Sequence, residues 1–395
     1  MSYLIFCSFE VGGLPFRMAD TLNRHGVETY YIYLGPKSTN HDSTHFHYGA
    51  RSEEWDQSHV FQDHLGSQKE IVTLLSRIKA EQHILHCLAT GRNAYLLKEA
   101  GIDYNYWSYG GDLDYECFFV KRLLNTLIRM RFRINPAWLF PNMVNARKSI
   151  GWANSVMIAP YQERALKRIF PEKGLFFLPH CIDAKDYGQL LKERGKSKKT
   201  ISRKWGVENY FFSSTRHVWV GDWKNLTDNK RNDIMVRGYA KYLQNTEDSR
   251  SKLIMVEKGT DVEATQRLCR ELGISDSVEW IHEMPRNELD MYYRGASICL
   301  GQFGIPVITY SILEPLANGS IGISFFNAPT AVPFYETYPP VFNTRDPNEI
   351  ALIMDKIMSD QGGRDEFSHE SWLWIKRNCS EERFVEAFVA LFRER

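Results

Sequence analysis

The strongest constraint on the fold is the alternation of short apolar runs with segments of helix length. In the first half of the chain the runs are YLIFCSF (3–9), ETYYIYL (28–34), HILHCLA (83–89), SVMIAP (155–160) and LFFLPH (175–180). The pattern restarts with NYFFSSTR (209–216), KLIMVEKG (252–259), VEWIHE (278–283), SICLGQF (297–303) and IGISFF (321–326). Strand, helix and strand at this spacing predict parallel βαβ units.

The segments between these runs are typical of amphipathic helices. LPFRMADTLNRHG, between the first two runs, is predicted to be a helix that ends at Gly26. At the other end of the chain, SEERFVEAFVALFRER (380–395) is predicted to be a capped amphipathic helix. The lysine-rich stretch KERGKSKKTISRK (192–204) has almost no apolar content. It is predicted to be a linker or a solvated surface segment.

The length of the chain indicates more than one domain. A chain of 395 residues is longer than a single hydrophobic core usually serves. We expect two α/β domains, at 1–190 and 205–380, and a C-terminal helix over 381–395 that packs back on the first domain. The net charge of +1 gives no indication of a nucleic-acid partner.

Cysteine usage and the N-terminus predict a cytoplasmic protein. The seven cysteines include no C-x-x-C pair, and several lie in apolar runs, which is typical of buried reduced thiols. The N-terminus, MSYLIFCSFEVGG, has no basic n-region, so it is predicted to be a first strand and not a signal peptide. No window approaches the ~20 apolar residues of a membrane span.

A single carboxylate stands in the segment that joins the last two apolar runs. After a buried strand the next helix is predicted to begin near Tyr310 or Ser311, which places Glu314 in its first turn or so. In open α/β sheets ligands bind beyond the carboxyl ends of strands, where helix N-termini present N–H groups to phosphates. A carboxylate there can accept hydrogen bonds from a ribose diol. The alternative is a glutamate that complements the helix dipole.

The same segment, LGQFGIPVITYSILEPLANGSIGISFF, resembles the C-terminal signature of family 4 nucleotide-sugar glycosyltransferases. These are retaining enzymes with the GT-B fold. The resemblance covers most of the chain and is strongest from 205 to 330. It implies two Rossmann-like domains that face a central cleft, the first on the acceptor side and the second binding the nucleotide sugar. The implied role of Glu314 is to hold the ribose, with Thr309, Tyr310 and Ser311 also at the donor site.

The chain departs from the family pattern at two places in this segment. The family often has a first glutamate eight positions before the second, and Pro306 stands there. The usual glycine before the helix is replaced by Thr309 or Tyr310. These two departures bear on the contacts to the donor sugar.

Further segments carry the resemblance. Gly12 and Gly13 follow the first strand, where the family has a G-G pair; they either admit the donor diphosphate to the backbone or only form a turn. LPHCIDAKDY (178–187) resembles the family's P-N-G-I-D-x-x-x-F at the end of the first domain. VEWIHEMPRNELDMYYRGASICL resembles the late strand, loop and helix where the base docks, which implies that Glu283 and Met284 border the base.

Two basic residues match positions that neutralise the leaving diphosphate in the family. Arg216 stands at a strand end, and Lys230 precedes the helix NDIMVRGYAKY. The loop between them is longer than usual, so Lys224 or Arg231 are alternatives for the lysine role; a solvated basic loop is the other interpretation. With no metal expected, fixed cations and helix N–H groups must stabilise the charge, and loss of one such group typically costs ~10²–10³ in rate.

The stretch YNYWSYGGDLDYECF (104–118) contains Asp112 and Asp114 as D-x-D. Such a pair holds a divalent ion in glycosyltransferases of another fold, but the second-domain pattern argues against that fold. YGGD resembles an acceptor-facing loop of GT-B enzymes, which implies that Asp112 orients the acceptor hydroxyl or takes its proton. The alternative is a Gly-Gly-Asp turn. A polar loop, not a metal site, is expected for His41, His45 and His47.

The segment KRLLNTLIRMRFRI (121–134) is typical of a basic amphipathic helix, which either contacts an anionic membrane or has a solvated basic face.

Taken over the whole chain, the resemblance implies a metal-independent, cofactor-free, retaining glycosyltransferase of the hexosyltransferase type. It would move a sugar from a nucleotide-diphosphate sugar to a glycan or lipid-linked acceptor, in synthesis of a cell-surface polysaccharide such as lipopolysaccharide. We expect it in the cytoplasm, with peripheral contact at the inner face of the membrane. A nucleotide-sugar epimerase and a non-catalytic nucleotide- or glycan-binding protein of the same fold are the alternatives.

Overall fold

The chain divides into two parallel α/β units in a computed structural model. The residues that the structure describes are 2–7, 14–34, 60–62, 67–82, 84–108, 136–158, 162–220, 229–246, 248, 250–284, 286–328 and 335–393. The first unit is Met1–Cys181 with Phe384–Arg395, and the second is Ile182–Arg383. The predicted α/β class is confirmed in both units.

The first unit contains a sheet of seven parallel strands in the order β3-β2-β1-β4-β5-β6-β7. Its strands are β1 (Ser2–Cys7), β2 (Thr29–Tyr33), β3 (Val60–Gln62), β4 (Ile84–Thr90), β5 (Asn105–Trp107), β6 (Ser155–Met157) and β7 (Gly174–Phe176). Its helices before residue 181 are α1 (Leu14–Arg24), α2 (Gln68–Gln82), α3 (Tyr95–Glu99), α4 (Pro136–Gly151) and α5 (Glu163–Ile169). Every residue of β1 is buried, as expected for a parallel strand that is covered on both faces.

The five apolar runs predicted in the first half correspond to β1, β2, β4, β6 and β7. The first helix also matches: α1 ends at Arg24, and Gly26 has a φ of 76°, the left-handed conformation that follows many helix ends. Strands β3 and β5 were not predicted. Unlike the other three-residue strands, they do not lie in a longer apolar run that would mark them in the sequence.

The second unit contains six parallel strands in the order β10-β9-β8-β11-β12-β13. They are β8 (Asn209–Ser213), β9 (Ser251–Val256), β10 (Val278–Ile281), β11 (Ile298–Leu300), β12 (Gly322–Ser324) and β13 (Phe342–Asn343). The helices are α6 (Tyr187–Trp205), α7 (Asn232–Thr246), α8 (Val262–Glu271), α9 (Arg286–Gly295), α10 (Tyr310–Ala317), α11 (Pro347–Ser359) and α12 (Gln361–Asn378), with a 3₁₀ turn at Ser275–Ser277. The five runs predicted in this half are β8 to β12.

Successive residues of β8 and β9 pack on opposite faces of this sheet. Phe211 pairs with Leu253, and both lie in one hydrophobic cluster. Phe212 pairs with Ile254, and both lie in the cluster on the other face. The sheet is therefore covered on both sides, and in such sheets ligands bind beyond the ends of the strands.

The linker interpretation of 192–204 is wrong, because this segment lies within α6. The Asp186 carboxylate accepts from the Gln189 N–H at the start of the helix, and Gly206 ends it with a φ of 65°. Leu190 and Ile201 are buried within the second unit, whose boundary at Ile182 lies before this helix. A narrow buried stripe on a largely polar helix is enough for packing, which is why the composition concealed it.

The C-terminal helix, α13 (Glu381–Arg393), carries a row of phenylalanines four residues apart. Phe384, Phe388 and Phe392 are buried in a cluster of the first unit that also contains Tyr3. The Tyr3 ring lies 5.3 Å from the ring of Phe388 and 5.5 Å from that of Phe392, both edge-on. The six cysteines among the described residues are buried, and Cys117 lies outside those residues.

Candidate functional site

The topology of the second unit identifies one edge of its sheet as the candidate site. The chain passes from β8 to β9 and β10 on one side and then returns to β11 on the other side of β8. Ligands in open α/β sheets bind where such a reversal leaves a crevice beyond the carboxyl ends of the strands. Two segments follow the strands at this point: the β8 loop, residues 214–220, and the β11 loop, residues 301–309.

The β11 loop is held by the side chain of Gln302, which is 1% exposed. Its Oε1 accepts from the N–H groups of Gly304, at 3.1 Å, and Ile305, at 2.6 Å. Its Nε2 donates to the carbonyls of Val307, at 3.0 Å, and Phe325, at 3.1 Å. The glutamine of the GQF stretch therefore shapes the loop that leads into α10.

Helix α10 begins at Tyr310, as predicted. Thr309 precedes it in an extended conformation, and its hydroxyl lies 2.8 Å from that of Ser311. Thr309, Tyr310 and Ser311 are all half-buried at the N-terminus of the helix. This arrangement places the first N–H groups of α10 at the reversal point, where an anionic group of a ligand would be stabilised.

Glu314 is the fifth residue of α10, and its side chain is 15% exposed. Its Oε1 lies 2.8 Å from Nη1 of Arg286, the first residue of α9. Its Oε2 lies 3.5 Å from the hydroxyl of Tyr293, which is on the same helix as Arg286. Glu314 is beyond the first turn, where a helix dipole acts most strongly. The arginine is therefore the stronger partner of the carboxylate.

Tyr293 connects Glu314 with the end of β8. Its hydroxyl donates to Ser214 Oγ over 2.7 Å, and Ser214 follows β8 directly. Burial, together with the negative charge of Glu314, raises the pKa of the Tyr293 hydroxyl well above its usual value. The hydroxyl therefore keeps its proton and remains a hydrogen-bond donor. Sequence analysis did not predict Arg286, Tyr293 or Ser214, because no local pattern marks them.

Arg216 lies in the β8 loop, exposed, two residues beyond Ser214. The segment after β9 holds the backbone on the C-terminal side of Arg216. The N–H of His217 donates to the Lys258 carbonyl over 2.6 Å, and Asp261 Oδ2 accepts from the N–H groups of Trp219, at 2.6 Å, and Val220, at 2.9 Å. The strand-end arginine thus projects from a loop whose backbone is fixed.

The imidazole of His217 is buried below this loop. Its Nδ1 lies 3.0 Å from the Thr265 hydroxyl, and its ring lies 5.2 Å from that of Trp280. Burial lowers the pKa of His217 to about 4, so the ring is neutral near pH 7. Gly259 packs against the backbone of His217: a Cβ there would lie 2.4 Å from the His217 carbonyl oxygen.

Lys230 joins the two loops through its backbone. Its N–H donates to the Val218 carbonyl over 2.6 Å, and its carbonyl accepts from the Phe303 N–H over 2.9 Å. The side chain is half-buried. Arg231, the alternative for the lysine role, places Nε 2.8 Å from Asp233 Oδ1, and Lys224 lies outside the described residues.

Glu283 and Met284 follow β10, two strands away from β8. Glu283 Oε2 lies 2.8 Å from Lys258 Nζ, and Met284 packs against the cluster that contains Phe212 and Tyr292. They lie on the side of the reversal point that carries the loops after β9 and β10. Their predicted role at the base stays a prediction.

No protein-family model matches the chain, and no curated protein matches its sequence. Solved structures do match. HepE from Anabaena in complex with UDP aligns at a TM-score of 0.66 and 12% identity over 100% of both chains, and the same protein has been solved with UDP-glucose. A glycosyltransferase from Rickettsia africae aligns at 0.62 and 12% identity, over 100% of this chain and 97% of that chain. WaaG, a glycosyltransferase involved in lipopolysaccharide biosynthesis, aligns at 0.55 and 12% identity, over 99% and 98%.

The chain has the GT-B fold. The predicted resemblance to glycosyltransferases of this fold is confirmed, and identities of 12–13% establish the fold alone.

Several predicted features lie outside the described residues, namely Gly12, Gly13, the histidines at 41, 45 and 47, Asp112, Asp114 and the basic segment 121–134. In the part of the GT-B chain that the structure describes, no group of three or more His, Cys, Asp or Glu side chains is arranged to hold a metal ion. Among the same residues, no helix has both the length and the apolar character needed to cross a membrane.

Proposed function

We propose that this chain is a retaining glycosyltransferase that takes its sugar from a nucleotide-diphosphate sugar. The observation that carries the proposal is the Glu314 carboxylate at the reversal point, linked through Tyr293 to Ser214 at the end of β8. It is supported by two structural neighbours that are glycosyltransferases and by a third, HepE, that has been solved with UDP and with UDP-glucose. A carboxylate is suited to accept hydrogen bonds from the two hydroxyls of a ribose.

The negatively charged Glu314 and the cations of this site must bind different parts of the nucleotide sugar. The leaving diphosphate gains negative charge as the bond to the sugar breaks, so it must bind near cations and N–H groups and away from Glu314. In the proposal Arg216 and Lys230 neutralise it, and the N-terminus of α10 at Thr309, Tyr310 and Ser311 contributes backbone N–H groups. Because such groups are fixed before the reaction, no metal is required for this role.

The remaining parts of the proposal rest on the family resemblance. Glu283 and Met284 border the base, Gly12 and Gly13 approach the diphosphate, and Asp112 orients the acceptor hydroxyl or takes its proton. The acceptor is a glycan or a lipid-linked saccharide of a cell-surface polysaccharide. A lipid-linked acceptor would make contact between 121–134 and the inner face of the membrane useful.

The test of the proposal is release of nucleoside diphosphate from a panel of nucleotide sugars, with and without lipid-linked saccharide acceptors and with a chelator present throughout. Turnover with an acceptor and an α-linked product from an α-linked donor would support a retaining, metal-independent transferase. An isomerised sugar without acceptor would indicate the epimerase. Binding without turnover of any donor would indicate the non-catalytic protein.

Glu314→Gln keeps the size of the side chain but removes its charge. We expect a loss of donor affinity of ~10–100-fold, since a hydrogen bond to a charged group typically contributes about 1.5–3 kcal/mol. Glu314→Ala should show the same loss. Glu271→Gln, an exposed change at the end of α8, is the matched control. Unchanged donor affinity in both Glu314 variants, measured by titration calorimetry, would contradict the ribose assignment.

A further inference from the structure

The geometry points to the exposed face of α6 as a surface that binds an anionic lipid membrane. This inference goes beyond the proposed function and does not depend on it. Helix α6 has 19 residues, of which seven are basic and a single one, Glu193, is acidic. The net charge of the whole chain is only +1, so the residues outside α6 include more acidic than basic side chains. Such a local excess of one charge indicates a partner of the opposite charge.

The helix aligns four of these basic residues on one side. They follow one another at spacings of four, three and four residues and form what we call the basic row: Lys192, Lys196, Lys199 and Arg203. At about 100° per residue these spacings place all four within an arc of about 60°, along about 16 Å of the helix axis. All four side chains are exposed. A linker over the same residues would not align them, so the basic row is a product of the helix.

The other three basic residues of α6 are used within the second unit. Each has a hydrogen-bond partner on another element: Ser368 for Arg194, at 3.3 Å, Asn209 for Lys198, at 2.9 Å, and Tyr292 for Lys204, at 3.1 Å. The basic row differs, because none of its side chains forms a hydrogen bond or an ion pair with another residue that the structure describes. These four charges therefore face solvent and do not support the packing of the helix.

The acidic residue of α6 has partners outside the basic row. Glu193 Oε1 accepts from Gln189 Nε2 over 2.9 Å, and Glu193 Oε2 lies 3.4 Å from Nε of Arg294 on α9. Like charges three or four residues apart on a helix repel and destabilise it. A basic row that is only solvated keeps this repulsion, whereas an anionic surface against it would remove it.

A flat anionic surface fits the basic row better than a nucleic acid does. Proteins bind nucleic acids with side chains that enter a groove or with aromatic rings that stack on bases. The exposed neighbours of the row on α6 are instead small or polar, namely Gly188, Gln189, Gly195 and Thr200. Leu191, on the flank of the row, is 45% exposed and can enter the headgroup region of a membrane. Four or more Lys and Arg residues on an amphipathic helix are typical of binding to anionic lipids.

The experiment is co-sedimentation of the full chain with vesicles of phosphatidylcholine alone or of phosphatidylcholine mixed with phosphatidylglycerol. Wild type should bind the vesicles that contain the anionic lipid, and about 1 M salt should abolish this binding, because charges are then screened beyond ~3 Å. Neutralising the row should weaken binding ~10²–10³-fold, since each lysine near such a surface contributes about fivefold. The variant that does so is Lys192→Gln/Lys196→Gln/Lys199→Gln/Arg203→Gln.

Two further variants separate the basic row from charge in general. The first neutralises four exposed cations of the second unit that lie on three different helices, and its binding should stay within about fivefold of wild type: Arg237→Gln/Arg267→Gln/Arg270→Gln/Lys356→Gln. The second keeps the charges and should bind like wild type: Lys192→Arg/Lys196→Arg/Lys199→Arg. Equal losses in the row variant and the first of these variants would overturn the inference, as would full binding by the row variant.

Failure of the row variant to fold would leave a smaller comparison that decides the same question. Lys196→Gln/Lys199→Gln removes two charges from the middle of the row and should weaken vesicle binding ~10–30-fold. Arg267→Gln/Arg270→Gln, exposed on α8, is its matched control and should bind like wild type. No difference between these two variants would overturn the inference.

Titrations with duplex DNA and single-stranded RNA test the rival partner. If wild type binds either of them more tightly than the anionic vesicles, and the row variant loses that binding, the membrane assignment is overturned. Weaker binding to both nucleic acids than to the vesicles supports the membrane.

The nucleotide-release assay without vesicles keeps this inference apart from the proposed function. The row variant should turn over donor at the wild-type rate there, because the row lies outside the candidate site. Vesicle binding through the row without turnover of any donor would overturn the proposed function alone. Turnover of a donor without vesicle binding would overturn this inference alone.

Discussion

The β8 loop and the β11 loop meet at the same point of the second sheet but are held in different ways. The β8 loop is held from outside, by Asp261 and the backbone of Lys258. The β11 loop is held from within, by the amide of Gln302. The first loop presents an exposed arginine and depends on a neighbouring segment; the second leads into a helix and carries its own support. Substitutions in the support of either loop should therefore lower the stability of the protein, whereas loss of the exposed arginine should lower activity with little change in stability.

The largest effect on the free energy of unfolding is expected at Gly259, which packs against the backbone of the β8 loop. Gly259 has a φ of +114°, and a Cβ there would lie 2.4 Å from the His217 carbonyl oxygen. Gly259→Ala should lower the free energy of unfolding by about 3 kcal/mol or more, because backbone strain and overpacking add. Gly273→Ala is the control: φ is +69°, nothing lies within 4 Å, and the cost should be about 1 kcal/mol. Urea unfolding of both variants measures the difference, and equal losses would refute the tight contact.

A smaller loss of stability is expected when the Gln302 amide that supports the β11 loop is removed. Gln302→Leu keeps the approximate size of the side chain but leaves the N–H groups of Gly304 and Ile305 without their acceptor. The free energy of unfolding should fall by about 2–3 kcal/mol, and donor binding should weaken with it. Gln244→Leu, an exposed change on α7, should have little effect. Full stability in Gln302→Leu would show that the loop does not need the amide.

Acid should weaken the β8 loop but not the amide support of the β11 loop. Burial lowers the pKa of His217 from 6.5 to about 4, so between these values the unfolded chain binds more protons than the folded one. The free energy of unfolding should therefore fall as the pH decreases, with His217 contributing about 2 kcal/mol between about pH 7 and about pH 4.5.

His180 in the first unit acts in the same direction, because burial and then Arg17 lower its pKa to about 4. The comparison of His217→Gln with wild type at both pH values therefore isolates the contribution of His217. The wild type should lose more stability than the variant on acidification. Parallel pH curves would contradict the buried neutral imidazole.

The smallest effect on stability is expected at Arg216, the residue that the β8 loop presents. Arg216→Ala should change the free energy of unfolding by less than about 0.5 kcal/mol, because the side chain is exposed. Turnover of the donor should fall ~10²–10³-fold if the arginine stabilises the leaving diphosphate. Arg270→Ala, exposed on α8, is the control in the nucleotide-release assay. Unchanged turnover would remove Arg216 from the site.

Sequence patterns predicted much of the frame in which these loops lie. Ten apolar runs correspond to ten strands, and α10 begins at Tyr310 as predicted. The patterns failed where a short strand has no apolar run around it or a helix is mostly polar: β3, β5 and β13 are flanked by polar or turn residues, and α6 buries few side chains. A strand of two or three residues is detectable only when the apolar run extends beyond it, and a narrow buried stripe does not alter composition.

The candidate site was predicted only in part, because contacts between distant segments leave no local signal. Glu314 and Arg216 were predicted from their positions after strands and from the family resemblance, and their roles stay predictions. Arg286, which pairs with Glu314 across 28 positions of sequence, was not. The contact of Gly259 with His217 was equally invisible, since a glycine after a strand looks the same whether or not another backbone approaches it.

Local sequence patterns were enough to assign most strands and helices and the parallel α/β class, because the spacing of apolar side chains is a local property that burial on two faces requires. The tertiary structure alone decided which charges meet. Whether a carboxylate faces water, a helix dipole or an arginine depends on how α9 and α10 pack around β8 and β11, and that packing is the sum of many distant apolar contacts. The ion pair between Arg286 and Glu314 follows from that packing.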